Sequence, residues 1–132
     1  MKSLPGKILI VEDEGSIVRS LTDMLTAEGF EVIQARDGET GFKKAVDEKP
    51  DLILLDLLIP KVDGMTMMEK LRENDWGRNV KVIILTNLQP DDKIVKCISK
   101  YEPTYYFVKT EWHIDDVLVK IKTVLNVPHG AK

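Results

Sequence analysis

Along the chain, short runs of Ile, Val and Leu alternate with longer stretches in which apolar residues return every three to four positions, the pattern of repeated strand–helix units. Five such units are legible. The first joins a strand at Lys7–Val11 to a helix with Ile17, Val18, Leu21, Met24 and Leu25 on one face, which Gly29 can end. The second runs from a strand at Glu31–Ala35 through a turn at Asp37-Gly38 into a helix that buries Phe42, Ala45 and Val46, with Pro50 closing it. Leu52–Leu55 is apolar on both faces, as a central parallel strand covered by helices should be, and it stops at Asp56. Beyond a loop with Pro60 and Gly64, the residues Met65, Met68 and Leu71 mark a third helix. A fourth strand at Val80–Leu85 stops at Thr86-Asn87, and Pro90 suits the first turn of a helix that turns Ile94, Val95 and Ile98 inward. The last unit is a strand at Tyr105–Lys109 followed by the stripe Ile114, Val117, Leu118, Ile121, Val124 and Leu125.

Right-handed crossovers between parallel strands predict a doubly wound α/β sheet with helices on both faces, and such sheets bind ligands at the carboxyl ends of their strands. The 132 residues suit one domain, with a core at about 6–126, a short tail at 127–132 and no output domain. At 43% hydrophobic residues the chain can bury a core without disulfides, and the lone Cys97 can close no internal bridge. Nineteen Lys and Arg against 22 Asp and Glu leave a net charge of −3, which argues against direct nucleic-acid binding. The apolar runs Leu52–Leu55 and Leu57–Ile59 are too short for a membrane span. Met1–Gly6 has no hydrophobic region behind Lys2, so the expected location is the cytoplasm.

The strand ends carry the chemistry. Glu12-Asp13-Glu14 follows the first strand, Asp56 ends the third, Thr86-Asn87 follows the fourth and Lys109-Thr110 the fifth. Taken singly, an acidic residue after a strand suits a helix cap, Thr86 suits a strand, and a terminal lysine suits a solvated edge. Asp56 interrupts a run of Leu and Ile, where a carboxylate is costly unless it stands at the sheet's mouth with a partner. Carboxylates converging there repel one another unless a hard cation joins them, and Mg²⁺ suits a site of few carboxylates, waters and a phosphate oxygen. With a metal and an ammonium beside it, Asp56 can attack a phosphoryl group, which makes aspartyl phosphate the implied product.

These residues identify the family that the chain resembles. Lys7–Glu14 with its acidic pair, Asp51–Pro60 with Asp63-Gly64 beyond it, Val82–Thr86 and Tyr106–Lys109 together resemble a response-regulator receiver domain, the phosphoacceptor module of two-component signalling, over about residues 6–126. The resemblance implies a flavodoxin-like (βα)₅ fold with strand order 2-1-3-4-5, and a phosphoacceptor signalling protein of the stand-alone, chemotaxis-regulator kind, not an enzyme. It implies that Asp56 accepts a phosphoryl group from a phosphohistidine on a histidine kinase or histidine phosphotransfer protein. Asp13, Asp56 and the backbone carbonyl of Leu58 would ligate Mg²⁺, with Glu12 assisting through water. Thr86 and Lys109 would bind the phosphoryl oxygens, and Tyr106 would be the switch aromatic that turns inward as Thr86 moves. Output would pass through the fourth helix, fifth strand and fifth helix to an unnamed protein target, from a monomer or a weak, phosphorylation-dependent dimer.

Three positions depart from the family pattern. Thr110 follows Lys109 where proline is usual, Tyr101–Tyr105 replaces a Gly-Ala and acidic pair, and Asn87 stands where Ala or Gly is common. Other readings fare worse. A haloacid-dehalogenase-type phosphohydrolase needs an aspartate two positions after the nucleophile, where this chain has Leu58, and the acidic Glu12–Glu14 loop repels the phosphate that a flavin-binding protein cradles. A degenerate receiver acting as a phosphorylation-independent binding module is opposed by the retained Glu12, Asp13, Asp56, Thr86 and Lys109. Met65, Met67 and Met68 read as packing, Cys97 as an inert hydrophobe, and His113 and His129 fit no metal spacing. Five of the eight aromatics, Tyr101, Tyr105, Tyr106, Phe107 and Trp112, fall within one short segment, some of them expected at a partner surface.

Overall fold

Alternating side chains on each strand must find cover on two sides, and the chain meets this with helices on both faces of one sheet. The computed structural model describes residues 6–111 and 113–126; Met1–Pro5, Trp112 and the 127–132 tail with His129 lie outside the described residues. The elements run β1 (Lys7–Val11), α1 (Gly15–Ala27), β2 (Glu31–Ala35), α2 (Gly38–Glu48), β3 (Leu52–Leu55), α3 (Gly64–Glu73), β4 (Lys81–Thr86), α4 (Asp92–Tyr101), β5 (Tyr105–Val108) and α5 (Ile114–Val124). All neighbouring strands are parallel, in the order β2-β1-β3-β4-β5. This is the expected doubly wound, flavodoxin-like arrangement.

The strand period of two divides the core cleanly. Ile8, Ile10, Leu52, Leu54, Ile83 and Leu85 pack with Leu21 and Leu25 of α1 and Val117 and Ile121 of α5. Leu9, Val11, Ile53, Leu55, Val82 and Ile84 face the other way, onto Ala45 of α2 and Met67, Met68 and Leu71 of α3. Full burial of side chains of this size is worth about 1.5–3 kcal/mol each, so the two layers fix the sheet between its helices. No helix among the described residues is long and apolar enough to cross a membrane.

Several boundaries differ from the pattern reading, each for a local reason. Pro90 lies outside the fourth helix, because Asp91 takes the cap position and its side chain accepts the Ile94 amide at 2.9 Å. On that helix Ile94 and Cys97 are buried while Val95 is 50% exposed, so the inward stripe runs through the cysteine and not through Val95. The fourth strand is shifted by one residue and includes Thr86. Lys109 leaves the fifth strand and opens a single 3₁₀ turn at Lys109–Glu111.

Candidate functional site

The sheet's register brings the acidic residues together. Val11 pairs with Leu55, and the Asp56 amide donates to the Val11 carbonyl at 3.0 Å, so the residues after β1 and β3 emerge side by side. Glu12 and Asp56 are only 3% and 5% exposed, whereas Asp13 faces solvent. Glu12, Asp13 and Asp56 each place a carboxylate oxygen within 4.8 Å of the others.

The ammonium of Lys109 reaches into this cluster. Its Nζ lies 2.5 Å from Glu12 Oε1 and 3.0 Å from Asp56 Oδ2, with all three side chains nearly sealed from solvent. Burial works against the charged lysine, but the hydrogen bonds it donates to Glu12 and Asp56, with their negative charge, outweigh it and raise its pKa above the usual lysine value. Glu12 is pushed up by burial first, an effect that Lys109 and the Glu14 amide only partly oppose. The Glu14 amide donates to Glu12 Oε2 at 3.0 Å, and the Leu58 amide donates to Asp56 Oδ1 at 3.0 Å. Both buried carboxylates are thus held through both oxygens.

The donor set fits a divalent ion. Three carboxylates against one ammonium leave two formal negative charges, the charge of one Mg²⁺, and every side-chain donor is the hard oxygen such an ion prefers. The Asp13 carboxylate keeps the cluster open to solvent on one side.

Thr86 and Tyr106 both bond to the backbone of Leu88. Thr86 is fully buried at the end of β4, where its hydroxyl accepts the Leu88 amide at 3.4 Å. The Tyr106 hydroxyl donates to the Leu88 carbonyl at 2.7 Å, so both residues expected to switch are tied to the same short loop. Burial, then the nearby charge of Asp91 and Asp56, pushes the Tyr106 phenol up to about 12. Leu58, whose backbone was expected to serve the metal, is 52% exposed through its side chain. Cys97 is buried and its thiol is pushed up, chiefly by burial, which agrees with an inert packing residue. Gly38 and Gly64, which the sequence places only in a turn and a loop, carry no chemistry but border the loop after Asp56.

Comparison with known proteins agrees with this geometry. Residues 8–122 match the family model of the response regulator receiver domain. The DNA-binding dual master transcriptional regulator RpaA of Synechocystis is 34% identical over 131 residues, covering 96% of this chain and 53% of its own length. The chain therefore spans about half the length of this curated relative. A CheY-like response regulator receiver domain protein from Methanospirillum hungatei superposes with a TM-score of 0.82 at 28% identity, over 91% of this chain and 93% of that one. The receiver domain of the sensor histidine kinase PA1611 from Pseudomonas aeruginosa, solved with a magnesium ion in its active-site cleft, has the same fold, with a TM-score of 0.81 at 24% identity over 92% of this chain and 98% of that one.

Proposed function

Because this chain belongs to the response-regulator receiver domain family, we propose that Asp56 accepts a phosphoryl group from a phosphohistidine on a histidine kinase or histidine phosphotransfer protein. The observation that carries this reading is the contact of the buried Asp56 carboxylate with the Lys109 ammonium at 3.0 Å, beside Glu12 and Asp13. In the transfer, a carboxylate oxygen of Asp56 bonds to phosphorus while the phosphorus–nitrogen bond breaks. Its electron pair stays on the imidazole, and the product is an aspartyl phosphate.

Glu12, Asp13, Asp56 and the carbonyl of Leu58 would hold Mg²⁺, which supplies positive charge for the phosphoryl oxygens. Lys109 supplies a second positive charge where negative charge accumulates, already aimed by its two carboxylate partners. The Leu58 amide fixes the rotation of the Asp56 carboxylate, so little ordering remains when the donor arrives.

The signal then passes through the Leu88 loop. Thr86 would turn its hydroxyl from the Leu88 amide to the phosphoryl oxygens, and the Tyr106 hydroxyl would give up the Leu88 carbonyl and follow it inward. Such a move alters α4, β5 and α5, the face offered to a downstream protein. Mg²⁺-dependent labelling by a small phosphodonor, lost in Asp56→Asn, tests the proposal.

A further inference from the structure

Gly38 opens α2 and is buried, yet it is absent from the glycines with positive φ, so its backbone does not demand glycine. The reason is space. A Cβ built on Gly38 would lie 1.7 Å from the Val62 carbonyl oxygen and 2.6 Å from its carbon. These are backbone atoms, which cannot swing aside as a side-chain tip does. The Gly38 amide also donates to the Pro60 carbonyl at 3.3 Å.

Pro60 and Val62 belong to the loop that leaves Asp56, and that loop is pressed at its other end as well. A Cβ on Gly64 would lie 2.5 Å from Leu57 Cα and 2.6 Å from the Asp56 carbonyl oxygen, and the Gly64 amide donates to the Leu57 carbonyl at 3.2 Å. Between the two glycines Lys61 adopts a left-handed φ of 65°, unfavourable for a residue with a side chain and retained only where its surroundings impose it. Asp37, the α2 cap, is held below the usual carboxylate range by the Thr40 amide first, with the charge of Lys61 among the lesser causes. The N-terminus of α2, from a different strand–helix unit, thus bears directly on the loop that carries Leu58.

We propose that Gly38 is a positioning residue for the phosphoacceptor loop. By lacking a Cβ it lets α2 press on Pro60–Val62 and so sets where the Leu58 carbonyl and Asp56 stand relative to Glu12 and Asp13. This inference rests on the metal and phosphoacceptor roles proposed above. It adds a requirement from an element that contributes no ligand.

The test compares Gly38→Ala with Gly41→Ala. Gly41 lies one turn further along α2, and a Cβ there would meet Val11 Cγ1 at 2.9 Å and Met67 Sδ at 3.2 Å, which are core side-chain atoms and not the loop. Both variants should melt below the parent. Calorimetric titration with MgCl₂ should show Gly38→Ala binding more weakly by on the order of tenfold, the loss typical of a supporting group outside the ligand shell, with Gly41→Ala close to the parent. Labelling of Asp56 by acetyl phosphate should slow in Gly38→Ala alone. If Gly38→Ala does not fold, Asp37→Ala, which strips the α2 cap that accepts the Thr40 amide at 2.7 Å and so loosens the same helix end against the loop, should weaken Mg²⁺ in the same direction. Parent-like affinity in the folded Gly38 or Asp37 variant overturns the proposal, as does equal weakening in Gly38→Ala and Gly41→Ala. A parent that binds no Mg²⁺ overturns the site reading itself and this inference with it.

Discussion

Lys109 and Asp56, 53 residues apart in sequence, meet at 3.0 Å in a nearly solvent-free pocket at the mouth of the sheet. The same ammonium touches Glu12, so the acidic cluster is partly neutralised before any metal binds. The site is poised and not simply self-repelling: one ammonium spans two carboxylates, and the remaining charge suits a divalent ion.

Removing that ammonium leaves two buried carboxylates facing each other. Lys109→Met should destabilise the Mg²⁺-free fold by about 3–5 kcal/mol, the cost of stripping one partner from a buried ion pair. Added Mg²⁺ should recover more of the melting temperature in the variant than in the parent, because the ion becomes the main positive charge beside Glu12 and Asp56. Thermal melts with and without MgCl₂ check this. A variant that melts with the parent would mean that the contact carries little energy.

Ligand binding to the native state raises stability by RT ln(1 + [L]/Kd), about 2.7 kcal/mol at a hundredfold excess over Kd. Mg²⁺ should therefore raise the parent's melting temperature. Asp13→Ala, which removes an exposed carboxylate from the cluster, should melt slightly above the parent without metal and respond little to it. An equal Mg²⁺ response in both proteins would remove Asp13 from the site.

Tyr106 gives a pH-dependent observable. Its phenol is pushed up to about 12, above the value near 10 that an unfolded tyrosine shows, so the folded state binds this proton more tightly. The associated stability is fully present below pH 10 and is lost as pH rises from about 10 to about 12. Ultraviolet titration should show a phenolate step near pH 12 that Tyr106→Phe lacks. The same variant should lose about 1 kcal/mol of stability with the hydrogen bond to Leu88. Survival of that step in Tyr106→Phe would contradict the assignment.

If the signal leaves through the Leu88 loop, a beryllofluoride mimic of the phosphoryl group should shift the Leu88 amide and the Tyr106 ring resonances more than the Trp76 indole N–H. Trp76 packs against the core and precedes β4, whereas Leu88 follows that strand. Larger movement at Trp76 would route the signal through another face.

Much of this was legible in the sequence because strand ends are chemically exposed positions. A carboxylate closing the apolar run Leu52–Leu55 has nowhere favourable to stand except the sheet's mouth, which located Asp56, and the two packing periods located the helices. What was not legible depends on contacts across the fold. The Glu12–Lys109 bridge crosses β3 and β4, and only a long, flexible side chain makes it reachable. Val95 read as inward because it is apolar, but at helical spacing from Ile94 the buried partner is Cys97. Gly38 shows only as a glycine in a turn, since the proximity of the Val62 carbonyl exists only after α2 has packed.

The most direct test of the central claim is intact mass after incubation with acetyl phosphate and Mg²⁺. The parent should gain the mass of one phosphoryl group, only when Mg²⁺ is present, and Asp56→Asn should gain none under the same conditions. Equal labelling of Asp56→Asn, or no labelling of a folded parent that binds Mg²⁺, would contradict the assignment of Asp56 as the phosphoacceptor.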